Sequence, residues 1–312
     1  MATSTYPPER AAPHPAPAPI VRTSEPPRFH LVGRIRELAR TREILGNLVR
    51  KEVKVKYKSS VLGVAWSMLN PILYLAVFTL VFSVVLPASV PNFPVYLLSG
   101  LLAWNLFATS LSLASRSIVD NANLVTKVYF PREILPLASE GSALVDFALQ
   151  GVVLAVFMAA LRYSFVGANL LLLPLAMFAL LVFTAALAFW VSALNVRYRD
   201  TQHLLGLALL AWFWLTPVVY PGGLVYRKLA LGHHPWLFKL FLLNPMADIV
   251  FGFQRALYAH VQPRGAAQAV LIPVSVGWLA LVLGAVSVGS LVLLWLAWRT
   301  FFHLSGDFAE EL

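Results

Sequence analysis

The sequence predicts an all-α integral membrane protein with six transmembrane helices per subunit, an amino-terminal amphipathic interface helix, and short re-entrant or gate helices on the outer face. Three observations carry this prediction. The 312 residues are 59% apolar and only 12% charged, against roughly 45–50% and about 25% in a soluble domain. Charged residues are absent from runs long enough to cross a bilayer, among them the 57 residues from Ser59 to Ser115. The mean hydropathy of +0.74 agrees with lipid as the solvent. The net charge of +10 is not spread over a nucleic-acid-reading face, because 12 of the 24 Lys and Arg precede Ser59; they form a flank beside the first apolar run. Having no cysteine, the chain has no disulfide framework, thiolate metal site or cysteine nucleophile.

Residues 1–30 hold eight prolines, from Pro7 to Pro27, among alanines, and read as a disordered Pro/Ala-rich tail, partly polyproline. This tail lacks the apolar stretch of a secretion signal. Residues 31–58 follow as an interface helix and a basic juxtamembrane segment. Leu31, Ile35, Leu38, Leu45 and Val49 recur at helical spacing between Arg34, Arg36, Glu37, Arg40 and Glu43, the pattern of a helix lying on a membrane surface. The transmembrane domain, 59–300, divides at its charges and prolines into spans at about 61–86, 94–115, 134–161, 169–194, 201–220 and 268–298, each close to the roughly 20 residues a bilayer requires. An outer gate segment, about 221–264, is apolar but broken by Pro221, Pro245 and scattered charges such as Arg227 and Asp248; it reads as short re-entrant or interfacial helices. Residues 301–312 are a cytoplasmic tail.

With the amino terminus inside, the inner segments carry 18 Lys and Arg and the outer ones 6, so both termini are expected in the cytoplasm. Each polar feature then has two readings. Lys51, Lys54 and Lys58 share a helix face and either capture a phosphate-bearing head group or anchor the chain to anionic lipid. Trp66, Asn70, Tyr74, Phe78 and Phe82 recur every four residues, a spacing repeated by Trp212, Thr216 and Tyr220; such faces either stack on passing sugar rings or pack against neighbours. Glu140 and Asp146 are the only acids inside a span. They point about 240° apart on a helix, so they form no paired-carboxylate site; hydrogen bonding to another helix is expected, and Glu140 is expected shallow enough to reach the cytoplasmic side near Arg132. The inner loop 121–133 carries Leu124, Val125, Val128, Tyr129 and Phe130 between charges, which suits docking into a partner's groove, or is a solvated turn.

No phosphate loop of the form GxxxxGK[ST] is present, and none of the seven His is read as a metal ligand. The run from Tyr57 to Trp66 with Asn70-Pro71, then Ser99-Gly100-Leu101 with Trp104, Asn121 through Pro136, Asn195-Val196-Arg197-Tyr198-Arg199-Asp200, Thr216-Pro217 and Asn244-Pro245 together resemble the membrane subunit of type-two ABC exporters for lipid-linked polysaccharide, the O-antigen, capsule and teichoic acid permeases. The resemblance covers about residues 35–300 in colinear order.

It implies a homodimer in a bacterial inner membrane, joined to two copies of a separate ATPase that supplies the ATP and Mg sites, with no cofactor in this chain. It also implies a path lined by Trp66, Asn70, Tyr74, Phe78, Trp104, Trp212 and Tyr220. Head-group capture then falls to Lys51, Lys54 and Lys58, and coupling to the ATPase to Leu124, Lys127, Tyr129, Phe130, Arg132 and Glu133. The substrate implied is a polyprenyl-pyrophosphate-linked O-antigen. An integral-membrane transferase acting on lipid-linked sugars is the alternative; it requires an interfacial acid/base cluster, which the sequence lacks. An ion-coupled secondary transporter would carry paired intramembrane charges and internal repeats, and neither is found.

Overall fold

The computed structural model describes residues 31–58, 65–81, 90–163, 167–232, 235–258 and 270–312. The Pro/Ala-rich tail, both ends of the first expected span and parts of the outer segment lie outside the described residues. Among the described residues the chain is helical and contains no strand, in agreement with the all-α membrane class.

Four helices are long and apolar enough to cross a bilayer: α4 (Phe93–Asp120), α6 (Ile134–Ala160), α7 (Leu172–Arg197) and α12 (Val276–Leu304). Two further apolar helices are shorter, α3 (Ala65–Leu80) and α8 (Thr201–Leu215). The 15 residues of α8 rise about 22 Å at 1.5 Å each, less than the hydrocarbon thickness of about 30 Å. The pair α10 (Pro235–Phe241) and α11 (Pro245–Tyr258) turns through 86°, which makes the count four spans, or five if this bent pair is one. The described helices therefore do not reproduce the expected count of six. The reason is local: α3 adjoins residues outside the description, and α8 stops at the Thr216-Pro217 break.

The core forms around α4 and α7, with α6 against α4, α12 against α7, and α11 wedged on both. Small residues on α4, including Ser99, Gly100, Ala103, Ser110 and Ala114, are almost wholly buried and let neighbouring helices approach closely. Half-buried Asn105 of α4 donates through Nδ2 to Gln150 Oε1 of α6 at 2.8 Å, so that two polar side chains satisfy each other between the helices.

The expected surface helix is two helices, α1 (Leu31–Arg40) and α2 (Arg42–Tyr57). They divide at Thr41, whose hydroxyl donates to the Glu37 carbonyl at 2.9 Å, a local bond that competes with helix continuation. α2 runs along α6 instead of away from it. Gly141 permits this approach, since a Cβ there would stand 2.7 Å from Val49 Cγ2. Asp146 finds its partners on α2: Lys56 Nζ pairs with Oδ2 at 2.6 Å and Tyr57 Oη donates to Oδ1 at 2.7 Å. Glu140 is buried with Oε1 unpartnered, and no ion pair joins it to Arg132 among the described residues.

Candidate functional site

One end of the bundle, the loop end, carries α1, the short helix α5 (Ala122–Lys127) and α13 (Phe308–Glu311). Asn121 closes α4 there: its Nδ2 donates to the Ser117 carbonyl at 2.8 Å, and its Oδ1 accepts from Lys51 Nζ at 2.7 Å. Beyond α5 the chain becomes extended at Val128 and reaches Tyr129, which is 95% exposed. It then returns inward through half-buried Phe130, buried Pro131 and half-buried Arg132 to Glu133, 1% exposed. Glu133 Oε1 accepts from Arg34 through Nε at 3.0 Å and through Nη2, and from Trp298 Nε1 at 3.2 Å. Arg34 also bonds Glu37 at 2.6 Å and lies over the Phe302 ring at 4.8 Å. Partial burial lowers the Arg132 guanidinium from its ordinary value, opposed by the adjacent Glu133 carboxylate.

The six candidate coupling residues therefore divide by orientation. Lys127 and Tyr129 face out, while Leu124, Phe130, Arg132 and Glu133 are half-buried or buried and hold the loop on the bundle. The basic face divides similarly, with Lys51 committed to Asn121 and Lys54 and Lys58 exposed.

Among the described residues, the candidate path residues differ in exposure. The side chains of Trp66 and Asn70 lie outside the described residues. Tyr74 is exposed and stacks on Phe78, with centroids 6.1 Å apart and planes 10° from parallel. Trp104, 6% exposed, packs edge-on against Phe213 at 5.4 Å. Trp212 meets Phe107 at 5.2 Å and Phe183 at 6.0 Å, both edge-on, and borders a largely apolar open cleft of about 660 Å³ between α8 and α10.

At the opposite end, the break end, the physical problem is the Thr216-Pro217 interruption. Thr216 is extended (φ −109°, ψ 132°), as the residue before proline prefers, and α8 is left with carbonyls that no following helical turn can satisfy. Side chains from elsewhere take them. Tyr220 Oη donates to the Trp214 carbonyl at 3.0 Å and Asn244 Nδ2 to Leu215 at 3.3 Å; in the segment beyond α8, Gln254 Nε2 donates to the Pro217 carbonyl at 2.9 Å and Tyr96 Oη to that of Tyr220 at 2.8 Å. Asn244 does most: Nδ2 also donates to Thr216 Oγ1 at 3.2 Å, and Oδ1 accepts from Trp212 Nε1 at 2.8 Å and the Met246 amide at 3.1 Å. Gly100 allows the broken strand of chain to press against α4, because a Cβ there would lie 3.2 Å from the Val218 carbonyl. Tyr96 and Gln254 were not singled out from sequence, and Asp146 was, without its partner Lys56; polar residues inside apolar runs are the signal that marks Tyr96 and Gln254.

A bundle of apolar helices with a proline-broken element at one end and a seated loop at the other defines a multi-pass membrane protein. The chain belongs to the ABC-2 type transporter family, which matches residues 45–258. It is 34% identical over 279 residues to the O-antigen export system permease protein RfbA of Myxococcus xanthus, covering 89% of this chain and 98% of that one. It is 28% identical over 212 residues to a Klebsiella pneumoniae protein of the same name, covering 68% of this chain and 79% of that one.

Proposed function

We propose that this chain is the membrane subunit of an ATP-driven exporter that moves a lipid-linked O-antigen polysaccharide across a bacterial inner membrane, with both termini cytoplasmic. Two copies form the path and join two copies of a separate ATPase, which holds ATP and Mg. The observation that carries the reading is the exposed Tyr129 on a loop whose base is fixed by buried Glu133, in a chain without a phosphate loop of its own. An aromatic knob on a rigid seat is the form of a binding hot spot. Coupling falls to Leu124, Lys127, Tyr129, Phe130, Arg132 and Glu133. The exposed Lys54 and Lys58, with Lys51 beside the loop, receive the lipid phosphate. Trp66, Asn70, Tyr74, Phe78, Trp104, Trp212 and Tyr220 form or support a path in which aromatic faces make weak contacts indifferent to register, which a sliding polymer requires.

Deleting the gene and following the glycan tests this. Surface O-antigen should vanish while its lipid-linked form accumulates on the inner leaflet, and the wild-type chain should restore export. Normal surface glycan in the deletion strain, or loss without accumulation of the precursor, would overturn the reading in favour of no role or a biosynthetic one.

A further inference from the structure

The segment after α12 folds back onto the loop end. Phe308 is 1% exposed and meets Phe301 of α12 edge-on at 5.5 Å. It belongs to the apolar cluster that contains Val125 of α5 and Ile134 of α6. The guanidinium carbon of Arg132 lies 5.9 Å from the Phe308 ring centroid. Three residues on, Glu311 Oε1 stands 3.6 Å from Arg197 Nε at the end of α7, and Leu312 packs against the same cluster. α13 thus touches both α5 and α7.

α5 needs such support. At six residues it is far below the roughly 12–15 residues at which an isolated helix becomes marginal, so tertiary contacts must hold its shape. Lys51 holds its start through Asn121, and Arg34 with Trp298 holds the far end of the loop at Glu133. Between these two anchors, Phe308 is the large apolar side chain that contacts the loop from the other end of the chain.

We propose that Phe308 is a positioning residue for the loop: α13 is a strut that seats α5 and Arg132 so that Tyr129 is presented in one orientation. The purpose assigned to the strut rests on the docking reading above, and the two are tested separately. In lipid nanodiscs, Phe308→Ala should speed amide exchange in residues 122–132 by about tenfold or more while α4 and α6 stay protected; Phe308→Leu, which refills most of the site, should restore protection. Unchanged exchange in the loop, or exchange rising equally across the whole bundle, would overturn the strut. With the ATPase that co-purifies with the wild-type chain, Phe308→Ala should lower glycan exported per ATP hydrolysed by at least about fivefold, leave the KM for ATP unchanged, and be rescued by Leu. Faster loop exchange with an unaltered export ratio would support the strut and overturn the docking reading instead.

Discussion

The two ends of the bundle solve different problems with different bonds. At the loop end the ties are charged: Arg34 to Glu133 and Glu37, Lys51 to Asn121, Arg197 to Glu311. At the break end they are neutral, each joining an amide, indole or phenol to a carbonyl, hydroxyl or amide group around the Thr216-Pro217 interruption. Hydrogen bonds to charged groups contribute about 1.5–3 kcal/mol and neutral ones about 1 kcal/mol. The loop end is thus built to keep its shape. The break end, beside an open apolar cleft, is held by individually weaker bonds, and we propose it as the end that the export cycle opens.

The largest effect should follow from Glu133→Ala. Glu133 is buried, and its loss removes the oxygen that accepts from Arg34 Nε and Nη2 and from the Trp298 indole, while Arg34 Nη1 keeps Glu37. Breaking a buried pair from one side costs roughly 3–5 kcal/mol. Arg34 keeps 18% of its side-chain surface, so some of its charge stays solvated and the lower part of that range applies. Glu133→Gln retains an acceptor oxygen and should lose clearly less. Thermal unfolding of the purified chain measures both. An Ala variant no less stable than Gln would mean that the loop end does not depend on its charges.

Asn244→Ala should come next, at about 2–3 kcal/mol for a side chain that makes several neutral hydrogen bonds. The cost should be local, appearing as faster amide exchange at the end of α8 and across the α10–α11 bend, with a smaller shift in the global midpoint than Glu133→Ala gives. Asn244→Asp keeps Oδ1 for the Trp212 indole and the Met246 amide but loses the donors to Leu215 and Thr216, and should fall between. If Asn244→Ala destabilised the whole bundle as Glu133→Ala does, the contrast between a rigid and a yielding end would fail.

The sequence made the break end partly legible and the loop end less so. Pro217, Pro221 and Pro245 announce their interruptions through a missing amide, so broken outer helices follow from residue identity alone. What reoccupies the freed carbonyls does not, because Tyr96 and Gln254 approach from α4 and α11 only after tertiary packing. The same holds for α2. Its amphipathic spacing is compatible with a helix on a lipid surface or along another helix, and the choice was made by Gly141 and by the Asp146 carboxylate, 90 residues from Lys56. Charge-free runs located the long spans but not the end of α8, since a run such as Thr201 to Tyr226 says nothing of where Pro217 ends the helix. Exposed Tyr129 and buried Glu133 were both placed in the inner loop, yet the orientation that separates them is a property of the folded seat.

The smallest effect on stability should come from the residue with the greatest consequence for coupling. Tyr129 is 95% exposed, and surface substitutions away from special features usually change stability by within about 0.5 kcal/mol. Phe130 is different: it packs against the loop-end cluster, so its truncation mixes lost packing with lost docking. Tyr129→Ala alone separates the two. Its unfolding midpoint should match the wild type, while its affinity for the co-purifying ATPase falls by about 2 kcal/mol, near 30-fold, as for a hot-spot aromatic. Titrating the ATPase onto the chain in nanodiscs measures this. Undiminished affinity in a stable Tyr129→Ala variant would leave the rigid end of the molecule without the docking role that its rigidity was taken to serve.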